Sequence, residues 1–205
     1  MKPNVLLTVL SHLPLLKELR LKGAPAACIP TVLACLPNLQ SLDTDYILSG
    51  RAPLRRHQSL PGSSPLPLQL MPTLKNLTIR TSSMDIMGPQ KLWGWIRDLL
   101  PNPGLESFKL HAFILNVGST CIPRMFILDL ATVHKQSLKH FNVGEIQLTL
   151  MDIECLCSKF PGLETIGCSV ASPDAVGFLF YLRMHSHTNR FRNPFHMQYG
   201  TVTIS

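Results

Sequence analysis

The residues in this chain best spaced for acid–base chemistry are Asp43 and Asp45, because two carboxylates two residues apart in a strand stand on one face, as general acid and base catalysis requires. The equivalent places one repeat earlier hold Arg20 and Lys22. Adjacent strands about 4.8 Å apart would then set opposite charges side by side, which makes the pair a solvated charge ladder. There is no G-x-S-x-G, no Gly-rich phosphate loop and no His-Glu-x-x-His spacing. The chain therefore reads as a non-enzyme with no catalytic residue and no cofactor. His185-x-His187 with His196 could be offered as metal ligands, but they lack an acidic partner in a basic, aromatic segment, so no metal site is expected.

Two further patterns bear on binding. Arg190-Phe191-Arg192 with Phe195 and His196 interleaves charge and rings in the manner of a single-strand nucleic-acid grip. With no basic platform beneath it, nucleic acid is not the expected partner. Arg56-His-Gln-Ser59-Leu-Pro61 resembles a basophilic kinase site and makes Ser59 a candidate phosphosite. It lies in a stretch from 46 to 84 without an acid, where Arg51, Arg55, Arg56, Lys75 and Arg80 supply five charges of the net +7.

These residues need a scaffold, and the composition indicates what kind. Of 205 residues, 35 are leucine and 45 % are hydrophobic, which excludes a disordered chain. No apolar run approaches the roughly 18 residues of a membrane span. The stretch Val5 to Leu10 is followed by Lys17, Glu18, Arg20 and Lys22 before any cleavage site, so a soluble intracellular protein, cytoplasmic or nuclear, is expected. The six cysteines, at 28, 35, 121, 155, 157 and 168, match no zinc or disulfide framework and read as small core hydrophobes.

A repeat organises the leucines. Leu13-Pro-Leu-Leu-Lys-Glu-Leu-Arg-Leu21, Leu36-Pro-Asn-Leu-Gln-Ser-Leu-Asp-Thr44, Met71-Pro-Thr-Leu-Lys-Asn-Leu-Thr-Ile79 and Phe160-Pro-Gly-Leu-Glu-Thr-Ile-Gly-Cys168 share one frame. Leu105 to Leu110 and Leu138 to Val143 are looser copies. The anchors Leu16, Leu39, Leu74, Leu105, Leu138 and Leu163 are spaced by 23, 35, 31, 33 and 25 residues. Apolar residues at i, i+3, i+4 and i+7 precede them and predict helices: Leu6, Val9, Leu10 and Leu13; Ile29, Val32, Leu33 and Leu36; Leu92, Trp95, Ile96 and Leu99; Ile153, Leu156, Cys157 and Phe160. Ile127, Leu130 and Ala131 form a weaker stripe in which His134 takes the fourth place. Thr149-Leu-Met-Asp152 has the spacing of a capping box.

Helix, Pro-containing turn and short strand, repeated, predict an α/β solenoid: a leucine-rich-repeat horseshoe with parallel strands on the concave face and helices on the convex face. The array is expected over 1–180, interrupted by an irregular Pro-rich basic loop at 47–70. A poorly ordered basic tail is expected at 181–205. The first stripe begins at Leu6, so the first unit should be uncapped, with the edge of its strand unpaired.

The L-x-x-L-x-L frame is similar to irregular leucine-rich repeats, and the "LPxLxxLxL" segments after short helices resemble the repeat domains of fungal F-box proteins. The F-box itself is absent. The resemblance implies a protein–protein interaction module: the substrate-recognition part of an F-box-type ubiquitin ligase adaptor, or a fragment of one. A Skp-type adaptor would join it only if an F-box lies upstream. The alternative is a free-standing repeat scaffold or inhibitor binding a single protein. In either case the partner is a protein met by the outward strand residues Glu18, Arg20, Lys22, Asp43, Asp45, Asn76, Thr78, Arg80, Lys109, His111, His140 and Asn142, with Ser41, Ser107 and Thr165 beside them. These are charged toward the N-terminal end and small or neutral toward the other, which suits a protein surface better than a phosphate backbone.

Overall fold

The computed structural model describes residues 3–47, 71–81, 89–112, 122–170, 195–198 and 201–204. In chain order these form helix α1 (Pro3–Ser11), strand β1 (Glu18–Leu21), a 3-10 turn (Ala26–Cys28) leading into α2 (Ile29–Ala34), β2 (Ser41–Asp45), β3 (Asn76–Thr81), α3 (Pro89–Leu99), β4 (Ser107–Ala112), α4 (Arg124–His134), β5 (His140–Leu148), α5 (Leu150–Lys159), β6 (Thr165–Val170), β7 (Phe195–Gln198) and β8 (Thr201–Ile204). One open sheet contains every strand in the order β1-β2-β3-β4-β5-β6-β8-β7. Strands β1 to β6 are mutually parallel, each beside its successor. The chain is thus α/β, with helices and alternate strand residues sharing one core.

Helix–turn–strand units arise from local chemistry. In Leu13-Pro-Leu-Leu16, Leu36-Pro-Asn-Leu39 and Phe160-Pro-Gly-Leu163, the N–H of the fourth residue donates to the carbonyl of the first at 3.1 Å. Proline sits at the second place of each turn, where its fixed φ is already correct. The residue after each of the first five anchors then does the same work. The Lys17 carbonyl accepts from both Gln40 and Ser41 N–H at 2.8 and 2.9 Å. Gln40, Lys75, Glu106 and Lys139 each accept in the same way from the next two residues in register, at 2.7 to 3.0 Å. The six units are therefore joined to one another by the same pair of bonds at each of the five steps.

Burial follows that register. Leu42, Leu77, Ile79, Phe108, Leu110, Phe141, Ile166 and Cys168 point into the core. The stripes Ile29-Val32-Leu33-Leu36 and Ile127-Leu130-Ala131-His134 are wholly buried. Thr149 Oγ1 accepts from the Asp152 N–H while Asp152 accepts from the Thr149 N–H, the reciprocal capping box that starts α5. Where residues 48–70 separate β2 from β3, α3 is braced back to the second unit. The Trp95 indole donates to the Ala26 carbonyl at 3.0 Å and its ring lies 5.0 Å from Tyr46. Trp93, two residues earlier, packs on Phe126, which continues through Phe108 to Phe141.

Some expectations need correction. Val9 and Leu13 are 51 % and 45 % exposed, so the first stripe is only half buried, and Leu16 is partly buried, because among the described residues no unit packs on the outer side of α1 and β1. Leu163 is also only partly buried, in the last parallel unit. Strand β5 runs past Val143 to Leu148 through a register shift between Asn142 and Gln147. The shift lets Phe141 and Val143, then Ile146 and Leu148, all face inward. In the segment expected as a poorly ordered tail, β8 pairs antiparallel with β6, and β7 with β8. Thr201-Val-Thr-Ile204 has no leucine, yet every residue in it is β-branched and polar alternates with apolar, which is a strand former's pattern. The loop 48–70 with Ser59, and residues 171–194 with His185, His187, Arg190 and Arg192, lie outside the described residues.

Among the described residues no helix is long and apolar enough to cross a membrane. Five described cysteines are free thiols. Burial pushes Cys157 up to about 11 and Cys168 up to about 12, which keeps both protonated and inert at neutral pH.

Two stability predictions follow from this packing. Truncating Leu39, Leu74, Leu105 or Leu138 to alanine should cost about 2 to 5 kcal/mol, and Leu16→Ala visibly less, measured by urea unfolding. His134 is buried, its Nδ1 accepts from the Leu105 N–H at 3.3 Å, and burial holds its pKa below the usual 6.5. The unfolded chain therefore binds the proton first, and stability should fall as pH drops below 6.5. Urea midpoints across that range should lose this component in His134→Leu, at the cost of about 1 to 3 kcal/mol at neutral pH for the orphaned Leu105 donor.

Candidate functional site

The outward strand residues form three rows across the sheet, because parallel pairing with no slippage stacks equivalent positions. Glu18, Ser41, Asn76, Ser107, His140 and Thr165 make the first row. Arg20, Asp43, Thr78, Lys109, Asn142 and Gly167 make the second. Asp45, Arg80 and His111 make the third, with Lys22 just beyond the end of β1. All of these positions alternate with core residues, so they stand on the face opposite the helices.

The rows differ in what their side chains are free to do. On β1 to β3 the charges of Arg20, Asp43, Asp45 and Arg80 neutralise one another. Arg20 Nε lies 3.0 Å from Asp43, the Arg80 Nη1 also pairs with Asp43, and Arg80 Nε donates to Asp45 at 2.8 Å. Asp45 Oδ2 accepts from the Gly23 N–H at 2.8 Å, in a turn whose φ of 73° favours glycine. Partial burial pushes the Asp45 pKa up, but the Gly23 amide, the Arg80 guanidinium and the charge of Lys22 outweigh it and hold the carboxyl below 3.8. Arg80 is held above its usual value, first by its bond to Asp43, with burial opposing and Asp45 adding to the effect. Asp45 thus stays ionised at neutral pH. The arrangement is a clamp over three strands in which Arg80 bridges both carboxylates.

On β4 to β6 the polar groups are uncharged or unpaired. Lys109 and His111 are exposed, and Lys109 makes no ion pair among the described residues. His140 Nδ1 lies 3.0 Å from Thr165 Oγ1, with Glu164 at 4.0 Å from Nε2. The Asn142 carboxamide accepts from the Gly144 N–H at 2.9 Å, where a φ of 60° again calls for glycine. It lies flat over Gly167, whose missing Cβ would sit 2.7 Å from Asn142 Nδ2.

Apart from Gly167, these positions are the outward set expected from alternation, and Arg20 stands beside Asp43 as expected. Sequence reasoning did not foresee that Arg80, from β3, would be the residue bridging both aspartates, nor the fixing of Asn142. The signal for the second was available in Gly144 and Gly167, each one strand position away from a side chain that needs room. His196 is in β7, while His185 and His187 lie outside the described residues, and among the described residues no cluster of His, Cys, Asp or Glu is arranged to hold a metal ion.

Arg80→Ala should destabilise the chain by about 1 to 3 kcal/mol, since it leaves two half-buried carboxylates without their shared cation. Arg20→Ala, at 64 % exposure, should cost under about 1 kcal/mol. The Arg80 contribution is present above pH 3.8 and lost as pH falls through the lowered Asp45 value, so acid titrations of stability should show the wild type and Arg80→Ala converging there. Gly167→Ala should release Asn142, seen as loss of its hindered side-chain amide signals, at about 1 kcal/mol. No family model matches the chain, and no curated protein or solved structure matches it either.

Proposed function

We propose that this chain is a leucine-rich-repeat interaction module that binds a protein partner on the open face of its sheet and catalyses nothing itself. The reading is that of the substrate-recognition part of an F-box-type ubiquitin ligase adaptor, or a fragment of one. The observation that carries it is the second row, Thr78-Lys109-Asn142-Gly167, held at fixed spacing on the face away from the helices. A rigid row of this kind presents donors and acceptors without the entropy cost that a loop meets on ordering. The clamp Arg20-Asp43-Arg80-Asp45 keeps the first three strands in register beside it, so recognition is assigned to Lys109, His111, His140, Asn142 and Thr78.

The test is affinity capture from cell extract with the 205-residue chain and with a variant combining Thr78→Ala, Lys109→Glu and Asn142→Ala. The variant should stay folded by circular dichroism, since none of these side chains points into the core, and should lose the proteins that the wild type retains. Deleting residues 183–205 removes β7 and β8, so the second variant is compared only if its melting curve remains cooperative. Undiminished capture by the triple variant rejects the open-face reading.

A further inference from the structure

The end of the array that carries α1 and β1 bears most of the exposed apolar surface. Of the seven large hydrophobic side chains exposed among the described residues, four belong to this end: Val5, Val9, Leu13 and Leu15, at 45 to 79 %. Among the described residues, strand β1 pairs only with β2. The Lys17 carbonyl points at β2. Alternation along the strand therefore turns the N–H and C=O of Leu19 and Leu21 toward β2 and those of Glu18 and Arg20 toward the open edge.

The edge sequence is self-complementary. Glu18-Leu19-Arg20-Leu21-Lys22 is apolar one step either side of Arg20 and oppositely charged two steps either side. If a second copy approaches antiparallel with a two-fold axis at Arg20, Leu19 meets Leu21 of the second copy and Glu18 meets its Lys22, each twice. Arg20 and Glu18 carry the outward backbone groups, which is what hydrogen-bonded positions of an antiparallel pair require. The two arginines on the axis each bring their own counter-ion, since Asp43 lies 3.0 Å away. Glu18 makes no ion pair among the described residues, so its charge is available to the second copy.

We propose that the β1 edge joins a second copy of this chain in an antiparallel, two-fold pair. The sheet continues from one copy into the other, and α1 packs on its counterpart through Val5 and Val9. The inference rests on the edge alone and stands apart from the reading of the open face.

Sedimentation velocity of the 205-residue chain over a concentration series should show a monomer–dimer equilibrium. Glu18→Lys sets like charges opposite one another twice and should weaken the dimer by about tenfold or more. Adding Lys22→Glu to that variant reverses both members of the pair and should restore the dimer. Glu18 and Lys22 are exposed, and circular dichroism of each variant should match the wild type. A chain that stays monomeric, a dimer indifferent to Glu18→Lys, or a double reversal that fails to restore association overturns the proposal.

Discussion

The structure depends on a single shared carbonyl at each step. The residue after each of the first five anchor leucines offers its C=O to two successive N–H groups of the next unit, from Lys17 through Lys139. Two donors on one acceptor fix both the position and the angle of the incoming strand, so a neighbour cannot slide by a residue without losing both bonds. A slip of one residue would also turn Leu42 or Phe108 outward and Asp43 or Lys109 into the core. The hydrogen bonds and the hydrophobic pattern thus favour the same register, and agreement between levels is what makes a fold unique. The straight rows on the open face are a consequence of that register.

Much of this was legible in the sequence because the repeat is written in residues with strong local preferences. Proline in the turn, leucine at the anchor and alternation after it leave little freedom, and the helix over Ile29 to Ala34 and the box at Thr149 and Asp152 appear where their signals stand. What was not legible depended on neighbours distant in sequence. The spacing of Val9 and Leu13 reads as a fully buried helix face, whereas both are about half exposed at the end of the array that was expected to be open. The strands β7 and β8 were hidden because they are short, leucine-free and antiparallel, outside the repeat's pattern. The shift in β5 needed knowledge that Ile146 and Leu148 would be drawn inward.

The candidate site shows the same division. Membership of the open face follows from period 2 and was readable; the division of labour within it was not. Asp43 and Asp45 look like a functional pair on paper, yet Arg80, 35 residues beyond Asp45, commits both to structure. Asn142, unremarkable by type, is aimed by Gly144 and Gly167. A side chain whose direction is fixed by its surroundings contributes to selectivity out of proportion to its size, because its alternatives have been removed in advance.

The two tryptophans of the chain, Trp93 and Trp95, stand on one helix but face opposite ways along the array. Trp95 touches Tyr46 and Ala26 of the second unit, whereas Trp93 touches Phe126 of the fifth. Their fluorescence divides the molecule into two optical halves. Where successive units couple mainly to their neighbours, melting can start at one end and travel. Emission from Trp95 reports the front arriving from the N-terminal side, emission from Trp93 the front arriving from the other, and the lag between them measures the cooperativity of the whole array.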